Sequence, residues 1–598
     1  MNPFDVKTPE DINASEIYEL FVDVFTDFGQ VKEVFHTFLN GPRGSGKSMM
    51  FRYLMPDCQM LDKKCSLNEL DFFSFYVPIK LTGTNNPEFE RLQTNSISFI
   101  SEHLLTTFIT VKCFTNLLEY SEINKYKAEI EKFYFNNFLW HVEVSGQDIS
   151  NYKDKYKTSV EYIQSIINIT NKMLIHCKIY CSRIATNPNA TEDYKGALCN
   201  YLDFLYPILL EIKKLPFMPQ EKPIFLLIDD AGYLSGVQTK ILNTWVSYRN
   251  STKVSLKIST QLDYKGYKTI TNKTIDFPHD YSQINIATIY TSANNNYHSR
   301  IENIVTKRIV KYLKREITPQ DFFPYDEAQQ IRIKEIYNSI ESEHHDPNKK
   351  YTGKDAARRY ATSEYAKELI KKRATTTYSY AGFDNLVNIS SGIIRYFLEP
   401  ASKMYAEYLN KETDEANIKN IPHSIQNDEI RKFSEKFLKD EFEKILEEHG
   451  ALSDNERFSK ADKLFNLISG LGGMFRKLFV SDRTERVVFS VALNDLPDKE
   501  LKDILDLAIH YGYIHESSVG NKQGTGRSKL YILSRTLAPY FNLDPTGFKG
   551  YKFMNSNTLK ISLYSPNKFI KEIVKYFDVE EEDQSATVKQ TNLFDEIE

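Results

Sequence analysis

The stretch GPRGSGKS, residues 41–48, decides the reading of this chain, and its flanks matter as much as its letters. HTFLN (36–40) before it reads as a short strand, and SMMFRYL (48–54) continues as a helix. Between them the residues satisfy G-x-x-x-x-G-K-[ST], the pattern of a phosphate-binding loop. Gly41, Gly44 and Gly46 let the backbone turn tightly and aim its N–H groups inward, and the following helix adds the positive end of its dipole. Lys47 is placed to bridge β- and γ-phosphates and Ser48 to ligate Mg²⁺. The expected nucleotide contacts are therefore Gly41, Pro42, Arg43, Gly44, Ser45, Gly46, Lys47, Ser48 and Met49, with ATP and Mg²⁺ as ligands.

Such a loop needs an acidic group at the end of a neighbouring strand, and PIFLLIDD (223–230) supplies one. An apolar run bounded by proline and acids reads as a buried parallel strand. Asp229 is expected in the Mg²⁺ shell. Asp230 falls where many such enzymes carry a glutamate that polarises the attacking water, but an aspartate is one methylene shorter; the alternative is a loop or helix-capping carboxylate. VSLKIST (254–260) ends in Ser259 and Thr260, with Gln261 next. Thr260 is the candidate sensor of the γ-phosphate, against a plain strand end. FFSFYVPIKLTG (72–83) and INIATIYT (284–291) are two more strand candidates, and residues 13–34 read as one amphipathic helix on Ile17, Leu20, Phe21 and Phe25. Strands alternating with helices predict an α/β fold, a P-loop NTPase with a three-layer core.

At 598 residues the chain exceeds one ordinary core, so about three or four domains are expected. A net charge of −4 carries no global basic excess, so any DNA contact has to be local. Cys58, Cys65, Cys113, Cys177, Cys181 and Cys199 follow no disulfide spacing. Cys177 and Cys181, beside His176, are read as buried helix residues rather than a metal pair, because no second ligand pair follows. The N-terminal MNPFDVKTPED is not a signal peptide, and no apolar run is read as long enough to cross a bilayer, so a reducing cytoplasm is expected and no membrane partner.

The order of phosphate loop, acidic strand, polar sensor strand, helical lid and a C-terminal hairpin module resembles the AAA+ ATPases. NISSGIIRYFLEPA (388–401) resembles the Ser-Gly-x-x-Arg helix start that carries the second sensor in origin-recognition-type ATPases, which puts Arg395 on the sensor arginine, and FFPYDEAQQ (322–330) resembles the segment that opens their lid. With NPF near the start and LAPYFNLDPTGFKGY (537–551), the chain is similar to a bacterial ORC–Cdc-type branch. The resemblance implies ATP hydrolysis with Asp230, Lys47 and Arg395 as the catalytic set. It also implies a P-loop ATPase domain over 1–325, a helical lid over 326–405, a connector over 406–454 and a winged-helix-like domain over 455–565. Residues 566–598 are an acidic tail expected to be disordered.

Three departures shape the functional reading. Roughly 180 residues separate Ser48 from Asp229, far more than such a core needs, so 86–220 is expected to be a folded helical insertion that binds a protein partner. No arginine lies between Gln261 and the next strand, which leaves Arg300 and Arg308 as weak candidates for a finger. The helix PDKELKDILDLAIHYG (497–512) is acidic, so the module is read as contacting protein ahead of DNA, with Lys522, Arg527 and Lys529 on the wing. Gln590 to Phe594, in VKQTNLFDEIE, resembles a sliding-clamp docking peptide. The expected function is an ATP-controlled switch that regulates a protein or nucleic-acid partner in an accessory or anti-phage defence system. A DNA-binding initiator or mobile-element ATPase and an ATP-binding scaffold without turnover stand as alternatives. Association with a second copy of the chain is left open.

Overall fold

The computed structural model describes residues 2–573 apart from 24–27, 82–93, 187–193, 262–263, 265, 287–295, 344–352, 372–376, 412–417, 453–455, 481–487, 521–526 and 547–549. The clamp-like peptide at 590–594 and Lys522 lie outside the described residues. The chain divides into two compact units, Lys7–Ile286 and Met1–Val6 with Ala287–Glu598.

The elements of the first unit include α1 (Ala14–Leu20), β1 (Thr37–Asn40), α2 (Lys47–Tyr53), β2 (Phe73–Pro78), α3 (Thr94–Leu117), α4 (Ser159–Thr186), β3 (Ile224–Asp229), α5 (Gly236–Ser247), β4 (Val254–Thr260) and β5 (Ser282–Asn285). The five strands form one parallel sheet in the order β2-β3-β4-β1-β5. Both faces are covered, so the central strands read as near-continuous apolar runs, and all of β3 and β4 is buried. The register aligns Asn40 with Thr260, Ile228 with Ile258 and Pro78 with Asp229, so the polar ends of β1, β3 and β4 meet at one edge.

The sequence placed one helix over 13–34; the structure breaks it. α1 stops at Leu20, because Phe21 turns extended and stacks on Tyr53 with ring centroids 3.8 Å apart, and a short helix resumes at Phe28–Val31. β5 is Ser282–Asn285, earlier than the expected strand over 284–291, whose last residues lie outside the described set.

The insertion is helical, but it is no separate body. Leu104, Phe108 and Phe114 of α3 and Ile163, Ile166 and Ile169 of α4 share one continuous core with Phe73, Phe75 and Val77 of β2 and with Leu226 and Ile228 of β3. α3 also covers the edge of the sheet, where the Tyr76 N–H donates to Asn116 Oδ1 at 2.8 Å. The sequence reading that no segment is apolar enough to span a membrane needs correction here. Ser96–Leu117 has the length and composition, with a mean hydropathy of 1.2, and 67% of that stretch is buried inside the unit. A helix largely buried between a sheet and a second helix needs a wide apolar face. Cys177 and Cys181 are free and buried in α4.

The second unit begins with a strap. Phe4 is fully buried, its ring 5.8 Å from Phe322, 5.5 Å from Phe323 and 6.3 Å from Tyr405. Asn2 donates to the Ser402 carbonyl at 2.8 Å, and Arg308 donates to the Pro3 carbonyl at 2.8 Å. Helices α6 (Tyr297–Leu313), α7 (Glu327–Glu343), α8 (Gly353–Lys371), α9 (Phe383–Ile389), α10 (Ile394–Lys411) and α11 (His423–His449) follow, and then α12 (Lys460–Val480), β6 (Val488–Leu493), α13 (Lys499–His510), β7 (Ile514–Gly520), β8 (Arg527–Leu533), β9 (Gly550–Met554) and α14 (Ser556–Tyr564). The second sheet has the order β7-β8-β6-β9, with β7–β8 an antiparallel hairpin and β9 parallel to β6. Its core joins Leu464, Leu467 and Leu471 of α12 to Leu501, Ile504 and Leu505 of α13.

Beneath the first sheet, His36 is 1% exposed and its Nδ1 accepts the Leu256 N–H at 3.0 Å. Burial, aided by the Lys257 charge, pushes its pKa down from 6.5 to about 3. From pH 6.5 down to about 3 the unfolded chain holds a proton that the fold does not, so this contribution is complete above pH 6.5 and is lost as pH falls. Both tryptophans, Trp140 and Trp245, lie in this unit, so their fluorescence follows its unfolding alone. Urea titrations at pH 7 and pH 5.5 are expected to show wild type losing about 1 kcal/mol more than His36→Asn over that step. Equal losses in the two proteins would show that His36 contributes nothing to the slope.

Candidate active site

The loop at 41–48 leaves the C-terminal end of β1 and enters α2. Gly44 and Gly46 have φ of 80° and 97°, in the left-handed region that a Cβ disfavours. A Cβ on Gly41 would lie 2.9 Å from Ile286 Cδ1 and 3.2 Å from Ser45 Oγ. The turn thus has no room for a side chain at Gly41 and needs glycine at 44 and 46. Lys47 is buried, its ammonium donating to the carbonyls of Gly41 at 2.7 Å and Pro42 at 3.0 Å. Ser45 Oγ ties the turn to the Pro42 carbonyl at 2.8 Å.

Asp229 ends β3 and is 2% exposed. A buried carboxylate has to be supplied with donors. The Ser259 hydroxyl donates to Oδ1, which also accepts the Asp230 N–H at 3.0 Å, and the Tyr76 hydroxyl lies 2.8 Å from Oδ2. The Asp230 N–H reaches Ser259 Oγ as well, at 2.9 Å. Asp230 itself turns with φ 56°. Burial and then the neighbouring Asp229 charge raise its pKa, against the opposing pull of Lys47, Arg43 and Lys80. On the adjoining strand Thr260 donates to Asn40 Oδ1, and Asn40 Nδ2 donates to Tyr267 Oη at 3.2 Å. Arg43 donates to the Tyr233 hydroxyl; its guanidinium lies 5.6 Å, and the Lys80 ammonium 5.8 Å, from the centre of that ring.

The sheet therefore brings together the loop, Asp229, Asp230 and Thr260. Arg395 belongs to the other compact unit, exposed at the second position of α10 after a turn in which Ser391 and Gly392 take φ of 52° and 80°. Arg308, a candidate finger, is engaged on the strap carbonyls. Sequence reasoning missed Tyr76, Asn40 and Glu10. Asn40 had a signal, being the polar residue that ends a buried strand just before the loop. Tyr76 had only a weak one within an aromatic strand, and Glu10, whose Oε1 lies 2.6 Å from Tyr76 Oη, had none.

A family model described as ORC-CDC6-like matches residues 2–553. The chain belongs to the ORC-CDC6-like family. This is a family of AAA+ proteins that bind ATP with Mg²⁺, and the parallel α/β core is its P-loop fold. Among solved structures, Orc1 of Aeropyrum pernix in complex with DNA is 9% identical over 96% of this chain and 97% of that one, with a TM-score of 0.28. Cdc6p from Pyrobaculum aerophilum is 10% identical over 94% and 98%, with a TM-score of 0.21. No curated protein matches the chain.

The residues present fit the nucleotide and metal of the family. A glycine-rich turn with a buried lysine suits phosphates, and an oxygen-only donor set of Ser48 and Asp229 suits Mg²⁺. Gly46→Ala forces a Cβ onto a left-handed residue, at about 1–2 kcal/mol. It is expected to weaken ATP binding by about tenfold while the far-UV circular dichroism stays unchanged; full-strength binding would show that the loop geometry is not limiting.

Proposed function

We propose that the protein is an ATP-controlled switch: it binds ATP and Mg²⁺ at the loop, hydrolyses ATP slowly, and regulates a protein or nucleic-acid partner through its nucleotide state. The observation that carries this reading is the joined set at the sheet edge, where the loop, Asp229, Ser259 and the Asn40–Thr260 pair are locked together by hydrogen bonds. In this reading Lys47 holds the phosphates, Ser48 and Asp229 hold the metal shell, and Asp230 orients water. Phosphoryl transfer depends on positioning and charge more than on covalent chemistry from the protein. A short carboxylate at 230 therefore supports slow turnover that a partner accelerates. Arg395 is assigned as the lid sensor, and residues 455–565 as a winged-helix-like module, supported by the β7–β8 hairpin and the helix pair α12 and α13.

The second reading, a DNA-associated ATPase, gains from one observation. Two of the acids that open α13 are paired internally. Lys463 contacts Glu500 at 2.8 Å, and Lys560 contacts Glu500 at 2.8 Å and also Asp498. Burial pushes the Glu500 pKa up, but bonds from Lys463, Lys560 and Tyr564 outweigh it and hold the carboxyl at about 2. The repulsion that α13 offers to phosphates is smaller than its sequence charge. Lys529 in turn is paired with Glu516 at 3.0 Å.

Lys47→Ala removes a charge-assisted contact and is expected to weaken ATP binding by about 10- to 100-fold. Asp230→Asn is expected to keep binding and lower turnover at least tenfold; unchanged turnover would favour the scaffold reading. A pull-down of the native protein with ATP, beside Lys47→Ala, is expected to recover a partner that depends on both. If neither ATP nor Lys47 alters what is recovered, the switch reading fails. A recovered nucleic acid whose affinity falls steeply with salt would favour the second reading.

A further inference from the structure

Tyr76, near the C-terminal end of β2, points its hydroxyl at two carboxylates. Its Oη is 2.8 Å from Asp229 Oδ2 and 2.6 Å from Glu10 Oε1. Tyr76 is 8% exposed and Asp229 2%, whereas Glu10 is an exposed residue that reaches the phenol from the surface. A phenol has one hydrogen and donates one hydrogen bond at a time. Whichever carboxylate it serves, the other faces an oxygen lone pair. A phenol keeps its hydrogen at neutral pH, so the hydrogen stays on Tyr76 and only its direction changes.

The direction matters because of what Asp229 already carries. Its Oδ1 accepts from Ser259 and from the Asp230 N–H, leaving Oδ2 as the oxygen with spare capacity. A hydrogen turned toward Oδ2 competes with any water of a metal shell for that oxygen. A hydrogen turned toward Glu10 releases it. Glu10 sits on a short turn, Pro9–Asp11, just after the chain passes into this unit from the strap of residues 1–6. Its connection to Asp229 runs through the Tyr76 hydroxyl.

We infer that Glu10 is a positioning residue for the magnesium shell: by drawing the Tyr76 hydrogen to itself, it frees Asp229 Oδ2 to receive the metal's water. The inference rests on the reading of Asp229 as the magnesium-shell carboxylate. It assigns to the N-terminal segment a role in metal affinity, separate from holding the nucleotide.

Glu10→Gln tests it with little change of shape. The amide oxygen is a weaker acceptor than a carboxylate, and the amide N–H₂ can donate to Oη. Both effects turn the Tyr76 hydrogen back to Asp229. The measurement is equilibrium binding of a fluorescent ATP analogue to the full chain, first in EDTA and then along a Mg²⁺ titration. Expected are unchanged binding in EDTA and a Mg²⁺ midpoint raised about three- to tenfold. Glu10→Asp, which keeps the charge but shortens the reach, is expected to raise the midpoint as well. In a Tyr76→Phe background, Glu10→Gln is expected to add nothing, because the relay is gone. A midpoint within twofold of wild type for both Glu10 variants, or the same shift with and without the Tyr76 hydroxyl, would overturn the inference. Lys47→Ala in the same assay separates the two levels: full analogue binding by that variant overturns the loop reading itself, whereas lost binding together with an unmoved Glu10→Gln midpoint overturns only the relay.

Discussion

A carboxylate buried to 2% exposure is tolerated only when donors surround it, and Asp229 obtains its donors from two neighbouring strands at once. Ser259 comes from β4 on one side, and from β2 on the other comes the Tyr76 hydroxyl, which Asp229 shares with Glu10. That requirement fixes the register of three strands. A one-residue slip of β4 would turn Ser259 to the other face and leave Asp229 Oδ1 without its hydroxyl donor. Order β2-β3-β4-β1 is thus the arrangement in which a polar strand end meets its partners, and the loop after β1 is delivered beside it through the Asn40–Thr260 pair.

The long helical insertion follows from the same geometry. β2 is an edge strand, and an edge next to the site would leave its backbone N–H groups open to water or to another chain. Asn116 answers one of them at Tyr76, the residue whose hydroxyl serves Asp229. Glu102 of α3 ties the helix further, accepting from Trp245 Nε1 at 2.9 Å on α5. The insertion helices and the sheet share a core, so a partner that binds the insertion binds part of the ATPase fold.

What was legible in the sequence follows the range of the interactions involved. β1, β3, β4 and the loop were readable because local patterns specify them: an apolar run, its bounding residues and a glycine spacing. The break after Leu20 was not, because Phe21 leaves the helix to stack on Tyr53, a contact that no periodicity encodes. Nor was the nature of α3, whose apolar content reflects burial between layers that only the fold reveals. Glu10 and Tyr76 stand 66 positions apart, and Tyr76 and Asp229 153 apart. No spacing rule joins residues whose meeting depends on strand order.

Charge shows the same limit from the other side. Counted along the chain, α13 is an acidic helix, and that count argued against nucleic acid. In the fold, Lys463 from α12 and Lys560 from α14 converge on its first turn, and Glu500 is held ionised by both. These pairs link three helices, so the charges of Asp498 and Glu500 are offset within the module. Lys463, with its side chain 5% exposed, is committed to that role. A surface that meets phosphates has to be built from the charges left over, and on β8 Lys529 is already matched by Glu516. Paired charges offset one another at a distance, so the ion pairs of α12, α13 and α14 add little to the field around this module.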